Sequence, residues 1–538
     1  MKRNPDSNDD DKNYISYPCL SHDEFRQSAY KIIDLIVEYR KGLRQQPVAP
    51  NLLPGQCANN LSSDPPLNGT TVDNLLKQYI NDILPGVVHW QHPRFFGFFP
   101  LGGSYASILG SLLINSLSVM GFSWDVCPIS TEMEIVVTKW LAKAIGLPDK
   151  FMASEVNSNS ISYFLPTSSE AIIIAMHAAR KEHTSAGHDI SKLVVYASSL
   201  AHGCIKQAAN ILGVLYKEVD PHELRINEID QEDNNEDYDD NDDATTTNNQ
   251  LENCLYKYGM KKADVEREIE KDVKKGLIPF FISCTLGTTD ICSFDQLDGM
   301  KSFVDRFNVW LHVDASYAAV AFICPELRYT FLKGLDHFHS FSTNPYKWLL
   351  MNHDGCCFWS SKRSSIEDAM RVDSSYLRID ESVGKTNVST LNDHIWGVDL
   401  RKYSLATSRN FSALKLWSIF ELYGVTGLQK HIRKHVELAQ LLANLVKFDK
   451  RTKLVIKPRL GLVCFRLHPH ITPKQTFLFL DRINSSRSVF LSGSLLTKNT
   501  CVIRVCVSSE GVTEQDILYL WKLITKELDN INPCHTKV

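Results

Sequence analysis

Apolar side chains recur along this chain in three successive rhythms. From Ser21 to Arg44, Phe25, Tyr30, Ile33, Leu35, Ile36 and Tyr39 return at helical intervals, with Asp23 and Glu24 in the first turn. A second amphipathic helix is predicted over Val72 to Ile83, ended by Pro85-Gly86. From about residue 111 to 420, short apolar runs alternate with helical patterns. Leu193-Val194-Val195-Tyr196, Pro279 to Cys284 and Val309 to Val313 predict buried strands; Glu170 to Arg180 and Val265 to Lys275 predict helices. That alternation implies an α/β fold with a mostly parallel sheet. From about Leu414 the rhythm changes again. Helices are predicted at Leu414 to Leu422 and Leu428 to Val446, strands at Leu460 to Leu467 and Cys501 to Val507, and a last helix at Glu514 to Leu528. This is the pattern of a compact α+β C-terminal domain.

Two stretches carry no such rhythm. Residues 1–20 are polar and read as a disordered tail. Asn227 to Gln250 is an acidic, low-complexity block that cannot bury a core, and is expected to be a disordered surface insertion. The expected plan is therefore a tail (1–20), an N-terminal helical segment (21–110), a large domain (111–420) interrupted at 227–250, and a small domain (421–538). A chain of 538 residues suits that division. Between Phe95 and Trp124 there is no charged side chain, which is the length of a membrane span. Gly97, Pro100, Gly102, Gly103, Gly110 and Asn115 interrupt it, so buried core or a subunit interface is expected, with no membrane partner.

Composition narrows the classes further. Apolar residues make up 43% and charged residues 22%, the balance of a soluble globular protein. Basic and acidic residues number 58 and 62, for a net charge of −4, and no basic block stands out, so nucleic acid is not an expected partner. The 14 cysteines lack paired metal spacing, which points to reduced thiols and no metal centre. Met1 to Asn13 contains no apolar core of a secretory signal, so a cytoplasmic protein is expected.

The candidate chemistry starts at Ser342-Thr343-Asn344-Pro345-Tyr346-Lys347-Trp348. A lysine in an apolar setting has a lowered pKa and becomes a nucleophile for Schiff-base formation; the alternative is a lysine that snorkels past its aromatic neighbours. Asp314, in Trp310-Leu311-His312-Val313-Asp314, ends a predicted strand, where α/β sheets bind ligands. A buried carboxylate there needs a cationic partner, and a pyridinium nitrogen would serve; a structural salt bridge or helix cap is the alternative. Lys347 follows Asp314 by 33 positions, enough for one strand–helix–strand excursion back to the same sheet edge. Thr167-Ser168-Ser169-Glu170 precedes a predicted helix, and hydroxyls and free N–H groups there suit a phosphate, or else form an ordinary capping box.

Taken with these segments, an ordered series of motifs spans about Leu20 to Leu528. It includes Leu84-Pro85-Gly86-Val87-Val88-His89-Trp90-Gln91-His92-Pro93, Gly121-Phe122-Ser123-Trp124, Thr285-Leu286-Gly287-Thr288-Thr289, Ala321-Phe322-Ile323-Cys324-Pro325-Glu326 and Tyr423-Gly424-Val425. The chain resembles the group II decarboxylases that depend on pyridoxal 5'-phosphate (PLP), the family of aromatic-L-amino-acid, histidine, tyrosine and tryptophan decarboxylases. The resemblance implies fold type I of PLP enzymes and a homodimer, formed through the N-terminal segment, with active sites at the subunit interface. It implies that Lys347 holds PLP as a Schiff base and that Asp314 pairs with the pyridine nitrogen. It further implies that His202 stacks on the ring and meets the substrate carboxylate, and that Thr285 lies near the phenolic oxygen. Ser168, Ser169 and Asn344 match phosphate-binding positions, and Ser316 lies beside the ring. Tyr376, in Ser375-Tyr376-Leu377-Arg378, matches the tyrosine that returns a proton to the substrate carbon.

Some positions depart from the family pattern. Ser160 to Pro166 replaces a glycine-rich run, so this loop is expected to take another path. Ser316 replaces a usual alanine, and Tyr346 a usual histidine or serine. Phe98 and Leu101 replace a tyrosine and a threonine near the substrate ring. Ser408 resembles histidine and plant tyrosine decarboxylases, whereas aromatic-L-amino-acid and tryptophan decarboxylases have glycine there. Leu460 to Leu467 and Arg482-Ile483-Asn484-Ser485 look more like the aromatic-L-amino-acid enzymes. The reading is decarboxylation of an aromatic L-amino acid (DOPA, 5-hydroxytryptophan or tyrosine) to its amine. Histidine decarboxylation, oxidative aldehyde synthesis and a catalytically inactive homologue are the alternatives. Aldehyde synthases resemble the decarboxylases with phenylalanine for the loop tyrosine or asparagine for the stacking histidine; this chain has Tyr376 and His202.

Overall fold

The computed structural model describes residues 20–99, 101–153, 159–225, 256–328, 331–371, 396, 398–468 and 471–531. The expected tail (but for Leu20), the acidic insertion 227–250 and Tyr376 lie outside these residues. Two compact units divide the chain, 1–89 and 90–538. The first contains the predicted helix His22–Gly42, opened by a capping box in which Ser21 and Glu24 satisfy each other's backbone N–H groups. Val72–Gln78 is helical and passes into a π-helical turn, Tyr79–Ile83.

The second unit is built on a seven-stranded sheet. In chain order its strands are β1 (Ile161–Leu165), β2 (Leu193–Ser198), β3 (Leu215–Val219), β4 (Ile278–Thr285), β5 (Trp310–Asp314), β6 (Ser340–Thr343) and β7 (Cys356–Ser360). Their spatial order is β1-β7-β6-β5-β4-β2-β3. The run from β6 to β3 is parallel, and β7 is antiparallel to both neighbours. Alternate residues serve opposite faces. Ile282, Leu311 and Val313 enter one core cluster; Phe281, Trp310 and Val195 enter the other. A sheet buried on both faces explains why β2, β4 and β5 read as continuous apolar runs.

The stretch Ser160 to Pro166, expected as a displaced loop, is mostly edge strand β1, paired residue for residue with β7. The connection from β5 to β6 also differs from expectation. It runs through 3-10 turns, Ala318–Ile323, Pro325–Leu327 and Leu335–His337, in place of an α-helix.

A second sheet of four antiparallel strands, β8 (Thr452–Leu454), β9 (Leu462–Leu467), β10 (Ser492–Leu495) and β11 (Cys501–Cys506), is ordered β10-β11-β9-β8. Helices Pro473–Ser485 and Glu514–Ile531 share its core. The two helices predicted around residues 414–446 form one run, Ala413–Phe448, broken at Gly424, whose φ of 60° and ψ of 170° suit only glycine.

The sequence reading ended the N-terminal segment at residue 110, whereas the compact units divide at His89. Residues 90–117 belong with the second unit for physical reasons. Phe96 bonds through its backbone to Phe490 and Cys506. Helix Tyr105–Leu117 lies so close to Ala413–Phe448 that a Cβ on Gly110 would sit 3.0 Å from Lys415 Cα. That helix buries Ala106, Ser107, Gly110 and Ile114 and leaves Leu109, Leu112, Leu113 and Leu117 exposed. Among the described residues no helix is long and apolar enough to cross a membrane.

Candidate active site

Strand ends converge on one edge of the large sheet. Thr285 closes β4 and Asp314 closes β5, and they are register partners. Asp314 pairs in turn with Ser342 of β6. The chain leaves β6 through Asn344 into the short helix Pro345–Trp348, which carries Lys347. His202 follows β2, and the helix Ser168–Ser185 follows β1. These are the carboxyl ends of the parallel strands, where open α/β sheets bind ligands.

A cavity of ≈190 Å³ opens there, lined by Thr167, Ser168, Ser169, His202, Thr285, Asp314, Ser316, Asn344, Tyr346 and Lys347, together with Phe99, Cys204, Gly287, Thr289 and Tyr317. Lys347 keeps some accessible surface where it lines the cavity, but the protein packed around its amine pushes its pKa below the usual lysine range, opposed by the nearby Asp314 carboxylate. Its Nζ lies 5.3 Å from the centre of the Phe99 ring. The amine therefore faces a cavity and does not snorkel to the surface, and a lowered pKa favours the neutral, nucleophilic form.

Asp314 is buried and forms no ion pair with a described lysine or arginine. It accepts from the Ser316 backbone N–H at 3.1 Å and from Ser316 Oγ at 2.5 Å. The next helical turn begins only at Ala318, so Asp314 caps nothing. The capping-box alternative at Thr167 also fails. Thr167 makes no side-chain cap, and Glu170 instead accepts from the Leu405 backbone at 3.2 Å. An 18-residue helix thus opens toward the cavity with its first turn free for an anion. Ser168 Oγ bonds to the Asn344 side chain at 2.8 Å.

Thr285 Oγ1 is buried without a hydrogen-bond partner among the described residues, which costs about 1–3 kcal/mol unless a ligand atom completes it. Its backbone is clamped by Asp295, which accepts from Thr285 N at 2.7 Å and from Met260 N at 2.7 Å, and donates its own N–H back to Thr285 O at 3.0 Å. A carboxylate, an amine of lowered pKa, an orphan hydroxyl and an anion-ready helix start fit the pyridine nitrogen, aldehyde, phenolic oxygen and phosphate of PLP.

The substrate positions fall differently. Phe98 has φ 54°, is half exposed, and packs its ring toward Trp90 and Phe490. The backbone reversal there sends Phe99 to the cavity instead, stacked on Tyr317 at 4.0 Å. Leu101 packs against the core and does not line the cavity. Ser408 is exposed and does not line it, while its neighbour Arg409 is buried on Glu134. Phe99 and Asp295 carry no periodic signal in the sequence; Asp295 is marked locally only as an aspartate directly after Ile291-Cys292-Ser293-Phe294.

The chain matches the pyridoxal-dependent decarboxylase conserved domain over residues 54–239 and 253–468. The chain belongs to this family. It is 34% identical to aromatic-L-amino-acid decarboxylase of Rattus norvegicus, over 93% of this chain and 96% of that one. Its fold matches the crystal structure of Oryza sativa TDC with PLP and tryptamine, with a TM-score of 0.84 at 28% identity, covering 96% and 100% of the two chains. Rhodiola rosea 4-hydroxyphenylacetaldehyde synthase is also similar, with a TM-score of 0.80 at 28% identity over 95% of this chain and 99% of that one. The protein is accordingly a PLP-dependent carboxy-lyase of the aromatic-amino-acid decarboxylase group.

Proposed function

We propose that the protein decarboxylates an aromatic L-amino acid, DOPA, 5-hydroxytryptophan or tyrosine, to the corresponding amine. One observation carries the substrate class. Among the described residues lining the cavity, Lys347 and His202 are the only basic ones, and the wall is the stacked Phe99–Tyr317 pair. A substrate with an acidic side chain finds no counter-ion beyond these, whereas an aromatic ring finds an aromatic face.

Bound PLP supplies an electron sink for the pair released when the bond to the carboxylate breaks. Lys347 provides the amine that anchors the cofactor. Asp314 holds a proton at the pyridine nitrogen, Thr285 donates to the phenolic oxygen, and Ser168, Ser169 and Asn344 hold the phosphate with the helix N-terminus. His202 covers the ring and orients the substrate carboxylate. Tyr376 returns a proton to the substrate carbon. The enzyme acts as a cytoplasmic homodimer, and the exposed Leu109, Leu112, Leu113 and Leu117 supply an apolar face for a second copy.

The test is product analysis of purified, PLP-loaded protein offered DOPA, 5-hydroxytryptophan, tyrosine, phenylalanine, tryptophan and histidine, scoring amine, aldehyde and peroxide together. Amine from DOPA, 5-hydroxytryptophan or tyrosine is expected. Amine from histidine alone would overturn the aromatic substrate class, and peroxide formed in step with carbon dioxide would make the protein an aldehyde synthase.

A further inference from the structure

Ser316 lines the cavity beside Asp314, and its hydroxyl is engaged twice. Ser316 Oγ lies 2.5 Å from Asp314 Oδ1 and 2.7 Å from Ser168 Oγ. Ser168 Oγ lies in turn 2.8 Å from the Asn344 side-chain amide, with the Cys356 thiol 3.5 Å away. Three short links therefore join the carboxylate at the end of β5 to the first turn of the helix Ser168–Ser185 and to the turn that carries Lys347.

Counting protons orders these links. An ionised carboxylate accepts only, and each hydroxyl has one proton to donate. Facing a pyridinium, Asp314 is ionised, so Ser316 donates to it. Ser316 can then only accept from Ser168, and Ser168 has no proton left for Asn344. The remaining link is complete when the Asn344 amide presents its Nδ2 to Ser168, the half-turn that exchanges amide oxygen and nitrogen in place. Donation then runs in one direction, from Asn344 to Ser168 to Ser316 to Asp314, and leaves the second Asn344 amide proton and the backbone N–H of Ser168, the first residue of its helix, for the phosphate. An alanine at 316 breaks this relay at its centre.

We infer that Ser316 is a positioning residue that couples the phosphate end of the cofactor site to its pyridine end through a one-way hydroxyl relay onto Asp314. The inference rests on the reading of Asp314 as the partner of the pyridine nitrogen. Hydrogen bonds in such a chain polarise one another, and a carboxylate fixed by a charge-assisted donor is held in one rotamer before the ring arrives.

Pyridoxal, which has the ring and aldehyde but no phosphate, separates the relay from direct phosphate contact. Its binding to the full chain is read by the visible absorbance that develops with Lys347. S316A and S168A should each weaken pyridoxal binding about tenfold, the loss of one hydrogen bond to a charged group. The double variant should bind little worse than either, because both break one chain. S316T, which keeps the hydroxyl, should recover most of the affinity. Wild-type pyridoxal affinity in S168A, or losses that multiply in the double variant, would overturn the relay. D314N discriminates the underlying reading: if D314N also binds as wild type, the pyridine assignment falls and takes the relay with it. If D314N binds weakly while S168A does not, the relay alone is lost.

Discussion

The Trp348 indole N–H donates to Nδ1 of His435 across 2.9 Å, tying the residue after Lys347 to the long C-terminal helix. Indole nitrogen is a donor only, so Nδ1 must be bare and Nε2 must carry the proton it gives to Ser509 O at 3.0 Å. His435 is thereby held as one neutral tautomer. Phe99, Tyr317, Trp348 and His435 also form a continuous stack, with centroid separations of 4.0, 5.0 and 6.2 Å. Ser509 Oγ reaches Gln91 O, and Gln91 Nε2 reaches Leu101 O. The contacts close a ring around the cavity wall. Replacing His435 with leucine leaves the Trp348 N–H buried without an acceptor, and should cost about 1–3 kcal/mol. H435L should also raise KM for the aromatic substrate more than it lowers kcat, because the Phe99 wall loosens while Lys347 remains. Equal KM in variant and wild type would show that the stack does not shape the wall.

His435 also makes acid stability testable. Burial is the main cause that pushes its pKa well below the usual histidine value, with His431 and Lys434 adding to it. The unfolded chain takes up this proton near pH 6.5 and the folded one only at much lower pH. Stability from this group is whole above pH 6.5 and falls as pH drops below it, by about 1.4 kcal/mol per pH unit. H435L lacks that slope. Urea denaturation at pH 7 and pH 5 should show its deficit relative to wild type shrinking in acid; a deficit that stays constant would mean that His435 titrates normally in the fold.

These contacts also mark where sequence stops being informative. Strands β2, β4, β5, β9 and β11 were legible because each is a mainly apolar run. The others were not, for local reasons. β6 is Ser340-Phe341-Ser342-Thr343, too polar and short to stand out, and β3 is an edge strand that exposes Leu215 and Glu218. Lys347, Asp314 and Ser168, which the structure brings to one cavity, stand out in the sequence through local context, a strand end or helix start. Phe99, Asp295 and His435 act through partners tens to hundreds of residues away, which leave no periodic trace. Phe98 was misplaced because a positive φ at a phenylalanine has no sequence signature.

Asp295 gives a second pH signature. It is fully buried, and burial, its largest influence, pushes its pKa up to about 7 against the two backbone N–H donors. The unfolded value is about 3.9, so stability from this group is complete below that pH and is lost as pH rises through about 7. D295N removes this loss, but its amide NH2 must face one of two backbone N–H groups that both need an acceptor. It should therefore destabilise the fold by about 1–3 kcal/mol, more at pH 5 than at pH 8 by urea denaturation. PLP affinity should fall as well, because Thr285 loses its clamp. Unchanged PLP affinity would separate Asp295 from the site.

Glu134 and Arg409 form a buried ion pair at 2.6 Å, and Arg409 also donates to Phe164 O at 2.8 Å and to Ser404 Oγ. Phe164 N donates to the same Glu134 oxygen at 2.9 Å. The pair thus pins β1 to the segment that carries Ser408. Removing one partner strands the other charge, so R409M should cost about 3–5 kcal/mol, while the double variant E134M/R409M should recover part of it. Additive losses in the denaturation cycle would mean that the two residues act independently.

Lys347 is proposed as the residue that anchors the cofactor. Among the described residues its amine is the only one lining the cavity, and burial lowers its pKa against the pull of Asp314. K347A should abolish both the visible absorbance of the PLP-loaded protein and amine formation, while leaving the fold intact, because the side chain ends in a cavity and not in the packed core. Y376F should separate the two, keeping the absorbance and losing amine production. Visible absorbance surviving in K347A would mean that another amine holds the cofactor, and undiminished amine output from Y376F would assign the proton return to a different group.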